Sequence, residues 1–275
     1  MNTIRSVIFV VNGNKEGATS LAQSLQKEAE TLNVQCRITT CYPLPREDLN
    51  GVDLCCVIGG DGTLLGVVES ALETQVPVLG VNMGKLGFLA TYSAAQVKEN
   101  FISLLKGEFQ VAARTVLECW DASGKKTYSL NDIVVKNHSA GLISLDLYSN
   151  DQQVNDYNCD GIILSTPTGS TAYNLSAGGP LIHPEAKVVA VTPICPHTLS
   201  NRSVIFDQGT ELRVFLREHP NSVYLSTDGH PAFENKGQFP LTITIATTTF
   251  PLVEHRKYDH FHLVRTKLRW GNDSS

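Results

Sequence analysis

The chain contains no C-x-x-C pair and no Cys/His grouping at structural-zinc spacing, although seven of its 275 residues are cysteine. An odd number of cysteines, two of them adjacent at Cys55-Cys56 in an apolar run, does not read as a disulfide framework. All seven are expected to be reduced thiols of a cytoplasmic protein. Cys195-Pro196-His197 is too small a cluster for a metal site. There is no long apolar run either. Residues 7–11 are far too few for a signal segment or a membrane span, so no membrane association is expected. Positive charge is not in excess: 22 Lys and Arg stand against 27 Asp and Glu, a net charge of −5. That argues against general nucleic-acid binding. Low-complexity segments, long charge runs and internal repeats are missing as well. What is left is an ordinary globular composition, 42% apolar and 18% charged, long enough for two modest domains.

The stretch Asp53-Leu54-Cys55-Cys56-Val57-Ile58-Gly59-Gly60-Asp61-Gly62-Thr63-Leu64-Leu65 is the most informative. It opens as a buried strand. Three glycines then crowd around one aspartate, and Leu64, Val67, Val68 and Leu72 follow at helical spacing. Glycine lets a ligand approach the backbone closely, and successive N–H groups at such a turn suit phosphate, here Gly59, Gly60, Gly62 and Thr63. Asp61 would repel a phosphate unless a cation bridges the two or the carboxylate acts as a base on a neighbouring hydroxyl. A plain strand-to-helix turn would account for the same residues. The stretch is neither a Walker A loop nor G-x-G-x-x-G.

Around it, strands at 7–11, 34–40 and 76–81 alternate with helices carrying Leu21, Leu25, Ala29 and Leu32, and then Val97, Phe101, Leu104 and Leu105. Ser93 with Gln96 resembles a capping box opening the latter helix. This predicts an α/β N-terminal domain with a parallel sheet and a crevice at its carboxyl edge. A second glycine-bearing loop, residues 83–89, should face the same crevice. Near residue 110 the texture changes. Short strands dominate, with a hairpin at Ser123-Gly124, and a β-rich C-terminal domain is expected. The division is drawn at 1–110 and 111–253, with the basic, aromatic tail 254–275 packing back on the first domain. Within the β-rich part, residues 166–180 are dense in hydroxyls and glycine and favour a polar ligand. A capped Thr/Ser loop is the plainer account. Asp132 and Asp160 join Asp61 at strand or turn boundaries.

These motifs together resemble the NAD kinase family. The resemblance rests on Gly59-Gly60-Asp61-Gly62-Thr63, on Asn131-Asp132, and on the run from Ser165 to Asn174. It also rests on Gly178-Gly179-Pro180, His183-Pro184, Asp228-Gly229-His230 and Thr266-Lys267-Leu268-Arg269-Trp270. Lipid kinases, sphingosine kinases and 6-phosphofructokinases share the glycine-aspartate signature alone. The resemblance implies an enzyme that phosphorylates the adenosine-ribose 2′-hydroxyl of NAD with ATP. It implies a sandwich-like C-terminal domain, an active site between the domains, and a homodimer or homotetramer. It makes Asp61 the base, Gly62 and Phe88 its neighbours at the dinucleotide, and Asn131 and Asp132 the ribose grip. Asp160 with Thr171, Ala172, Tyr173, Asn174, Leu175 and Ser176 become the adenosine-side pocket, and Thr168 and His230 join the NAD-binding residues. His230 stands where the family often has glutamine or arginine, and Asp132 where it commonly has glutamate. A divalent cation, magnesium, is expected with the donor, without a dedicated ligand cage. The alternatives are a lipid or sugar kinase of the same signature, or a non-catalytic NAD(P)-binding regulator.

Overall fold

Strands made almost wholly of Val, Ile, Leu, Phe and Cys must be covered on both faces, and a parallel sheet flanked by helices does this. Ser6–Val11 and Leu54–Gly59 are such strands, and they pair in parallel at the heart of the first of two compact units. The computed structural model describes residues 3–84, 87–138, 141–198, 200–217, 223–233, 237–255 and 258–270. The first unit comprises Met1–Ala113 with Phe250–Ser275, and the second comprises Arg114–Thr249.

The sheet of the first unit runs Gln35–Thr39, Ser6–Val11, Leu54–Gly59, Val78–Asn82, Phe250–Glu254, Gln110–Arg114, with Tyr92–Ser93 beside Val78–Asn82. The chain leaves Ser6–Val11 toward one edge and returns to build the other. The gap between Ser6–Val11 and Leu54–Gly59 is therefore a topological switch point, where α/β sheets open a crevice at the carboxyl ends of their strands. Helices Ala18–Glu30 and Ala94–Leu105 pack Leu25, Val97 and Phe101 onto Phe9 and Ile58 in one core. The second helix starts with the expected capping box. Gln96 N–H donates to Ser93 Oγ (3.2 Å), and Ser93 N–H donates to Gln96 Oε1 (2.8 Å).

The second unit consists of two six-stranded sheets whose described pairings are antiparallel. Leu145, Val214 and Ile243 of one sheet and Ile133, Ile162 and Val191 of the other share a single core, so the unit is a β-sandwich.

Two sequence expectations are corrected. The helix after the glycine turn is broken into Asp61–Leu65 and Val68–Thr74. The Tyr42 ring lies so close over Gly66 that a Cβ there would collide with it, and Leu44 N–H takes the Gly66 carbonyl (2.9 Å). Strands were also missed at Gln110–Arg114, Gln152–Cys159, Val204–Asp207 and Phe250–Glu254.

Candidate active site

In the first unit, Leu54–Gly59 ends at the switch point, and Gly60 in extended backbone leads into Asp61–Leu65. Gly59 has no room for a side chain, because a Cβ would strike Thr63 Oγ1. That hydroxyl accepts Asn12 Nδ2 (3.1 Å), which ties the end of the first strand to the turn. Gly60 and Gly62 differ: nothing lies within 4 Å of a Cβ at either position. Packing does not demand glycine there, and the open space leaves their backbone reachable by a ligand. Tyr42 closes one side, its hydroxyl donating to the Gly62 carbonyl (3.0 Å).

Asp61 turns to the second glycine loop. Its Oδ2 accepts Phe88 N–H (2.8 Å), and Oδ1 accepts Leu89 N–H (3.1 Å) and Ala90 N–H (2.9 Å). A Cβ on Gly87 would collide with this carboxylate, so Gly87 is what lets the loop close on it. Three donors occupy most of the roughly four lone-pair sites of a carboxylate. Asp61 thus links the two glycine loops and keeps about one acceptor site for a substrate.

In the second unit, Asp228-Gly229 forms a two-residue turn with both residues left-handed (φ 52° and 80°) between Val223–Thr227 and His230–Pro231. The Asp228 carboxylate accepts Ser129 Oγ (2.6 Å) and the N–H groups of Leu130 (2.8 Å), Asn131 (2.7 Å) and Asp132 (3.3 Å). It fixes the Asn131-Asp132 dipeptide in place. Asp132 is buried, and Tyr173 N–H donates to its carboxylate. Burial, and then the charge of Asp228, push Asp132 up to about 7. Burial also raises Asp228, against the four donors that hold its charge. Both carboxylates line a cavity of about 360 Å³ with Asn131, Lys136, Tyr173 and Tyr224. Lys136 Nζ lies 5.1 Å from the Tyr224 ring centre.

The hydroxyl-rich stretch folds as Thr168–Thr171 and Tyr173–Ser176. Most of its polar groups are spent on backbone carbonyls, some within the stretch and some beyond it. Thr166 Oγ1 donates to the Leu130 carbonyl (2.5 Å), Ser170 Oγ to Pro167 (2.7 Å) and Thr171 Oγ1 to Thr168 (3.3 Å). Asn174 is fully buried. Its amide serves the Ser170 (3.3 Å) and Pro180 (3.0 Å) carbonyls and accepts Thr192 Oγ1 (2.7 Å). The density of hydroxyls is therefore largely architectural. It presents Ala172 and Tyr173 to the cavity and leaves Thr168 Oγ1 buried without a partner among the described residues. Leu175 is half-buried and Ser176 exposed on the same short helix.

Residues 8–109 match the ATP-NAD kinase N-terminal domain and residues 130–255 the ATP-NAD kinase C-terminal domain. The NAD kinase of Geotalea daltonii is 38% identical over 242 residues, covering 85% of this chain and 84% of that one. The NAD kinase of Lachnoclostridium phytofermentans is 31% identical over 282 residues, 96% and 99% of the two chains. The chain belongs to the NAD kinase family. Two solved structures share its fold. Yeast NADH kinase complexed with NADH has a TM-score of 0.89 at 24% identity, covering 100% of this chain and 90% of that one. An NAD kinase from Archaeoglobus fulgidus in complex with ATP has a TM-score of 0.79 at 23% identity, covering 96% and 98%. The match of both units to NAD kinase domains decides against the lipid- and sugar-kinase alternatives.

Of the residues singled out in the sequence, the first unit gathers Gly59, Gly60, Asp61, Gly62, Thr63 and Phe88 around one turn. The second gathers Asn131, Asp132, Ala172 and Tyr173 at one cavity. Asp160 is not among the residues lining that cavity; it precedes Gly161, which pairs with Lys136, at the end of the strand opposite Ser165, which pairs with Asp132. His230 follows the Asp228-Gly229 turn in an exposed position. Sequence reading missed Asp228 as the residue that holds the grip, although Asp-Gly between two apolar runs is a hairpin signal. Lys136 and Tyr224 carried no signal beyond strand alternation.

Proposed function

We propose that this chain transfers the γ-phosphoryl group of ATP to the adenosine-ribose 2′-hydroxyl of NAD, giving NADP. The observation that carries the reading is the grip of Asn131 and Asp132. An amide and a carboxyl group are held side by side at the cavity by Asp228. An amide donates and accepts, and a carboxylate accepts, which suits the vicinal hydroxyls of a ribose. Tyr173, 38% exposed beside them, offers a ring for an adenine to stack on.

Asp61 serves as the base, using the lone pair that the 88–90 loop leaves free. A positioned carboxylate contributes roughly 10²–10⁴ in rate. The backbone at Gly60 and Gly62 receives the donor phosphates. A divalent cation, magnesium, arriving with the triphosphate would neutralise part of its charge, and Asp61 is the side chain here that would help hold it. Among the described residues no three His, Cys, Asp or Glu side chains are grouped to hold a metal. The seven unpaired cysteines support a reducing, cytoplasmic compartment. Edge strands such as Gln152–Cys159 and Lys126–Ser129 support assembly into a homodimer or homotetramer.

The test is turnover of NAD with magnesium and ATP, read by an NADP-specific dehydrogenase, with polyphosphate as a second donor. A chain that binds NAD but forms no NADP with either donor would be the non-catalytic regulator instead.

A further inference from the structure

We propose that Lys267 is a phosphate-contacting residue of the donor site, carried to the glycine turn by the C-terminal helix. The proposal rests on the NAD kinase reading for the identity of the donor. The turn is open at Gly60 and Gly62, yet the charged side chain inside it, Asp61, is negative. A triphosphate placed there needs cations from elsewhere. The helix His260–Leu268 supplies one. It is capped by Asp259, which accepts His262 N–H (2.9 Å), and it buries Leu263 and Val264. Lys267 stands four and three residues beyond that pair and so leaves the helix on the packed side. Its Nζ lies 4.5 Å from the centre of the Phe88 ring. Phe88 is the residue whose N–H donates to Asp61 Oδ2 (2.8 Å). One aromatic residue therefore holds the ammonium on its ring and the carboxylate on its backbone.

The ring fixes the ammonium without consuming its hydrogen bonds, because a cation–π contact leaves N–H donors free for an anion. Among the described residues no carboxylate lies within ion-pair distance of Lys267, and the residue is exposed. The terminal helix is thus part of the donor site, and Phe88 is the platform that aims its lysine.

The experiment compares wild type with Lys267→Met, which keeps the apolar stem on Phe88, and Lys267→Arg, which keeps the charge. Steady-state rates are taken against ATP and against NAD, with melting temperatures and with binding of inorganic tripolyphosphate by calorimetry. Lys267→Met should raise KM for ATP and weaken tripolyphosphate about tenfold, the worth of one charge-assisted contact. Its KM for NAD and its melting temperature should stay at wild-type values, and Lys267→Arg should restore most of the ATP effect. Unchanged KM for ATP and unchanged tripolyphosphate binding in Lys267→Met would overturn the proposal. So would equal rises in both KM values accompanied by a lower melting temperature, which is the signature of a purely structural anchor. If the wild type forms no NADP, the NAD kinase reading fails by itself, and tripolyphosphate binding still decides the role of the lysine.

Discussion

Asp61 receives three backbone N–H groups, so its replacement by asparagine is not silent even though the shapes match. The amide would turn an N–H₂ toward N–H donors of the 88–90 loop. Asp61→Asn should lower the NADP-forming rate by roughly 10²–10⁴ and also lower stability by about 1–3 kcal/mol. Initial rates measured beside denaturant melts check both, and a variant keeping more than about a tenth of the rate would remove the base assignment. The glycines separate in the same way. Gly87→Ala should destabilise the protein, since its Cβ meets the Asp61 carboxylate, whereas Gly62→Ala should fold normally and bind ATP more weakly, since only open space surrounds it. Equal melting temperatures for the two variants would contradict this. Asp132 gives a pH dependence with a defined sign. Its carboxyl sits at about 7 in the fold, against about 3.9 in an unfolded chain. The neutral form is the one the fold favours, so its contribution is complete below about pH 4 and is lost as pH rises through 7. Urea melts across that range should show a loss of the order of a few kcal/mol in wild type and a flatter profile in Asp132→Asn. Parallel profiles would contradict the buried carboxyl pair.

At the scale of elements, the hydroxyl-rich segment is held by Asn174, whose amide joins Ser170, Pro180 and Thr192. Asn174→Ala leaves those groups unpaired in the interior, which costs about 1–3 kcal/mol. Because Ala172 and Tyr173 ride on the segment, NAD affinity should fall with it. Calorimetry showing intact NAD binding in a destabilised variant would detach the segment from the substrate. The sequence disclosed this segment's place after a strand but not the use of its hydroxyls, because Leu130 and Thr192 are remote in the chain. Ser6–Val11 and Leu54–Gly59 were legible because their apolar runs are uninterrupted, and the capping box because Ser93 and Gln96 are local. The helix break was not, since Gly66 gives way to Tyr42, 24 residues earlier in the chain. Gln152–Cys159 was hidden by its polar composition, as an edge strand buries only Tyr157 and Cys159. Its turn, Asn150-Asp151 with both residues at positive φ, was the available signal.

At the scale of the whole molecule, the chain leaves the first unit near residue 113 and comes back at 250, where Phe250–Glu254 enters the sheet beside Val78–Asn82. A two-part organisation was legible from the change of texture near residue 110. The return strand was not, because its five residues carry no alternation and find their partner about 170 positions upstream. Function was legible because its signatures are local: a glycine turn around Asp61 and an Asn131-Asp132 pair. The account as a whole claims that the pair holds a ribose so that one chosen hydroxyl reacts. The most direct measurement is the position of the new phosphate, found by phosphorus NMR on the product of NAD and ATP, with an NAD analogue lacking the adenosine 2′-hydroxyl run alongside. The account predicts a 2′-phosphate from NAD and an analogue that binds but yields nothing; a phosphate on any other oxygen, or turnover of the analogue, would contradict it.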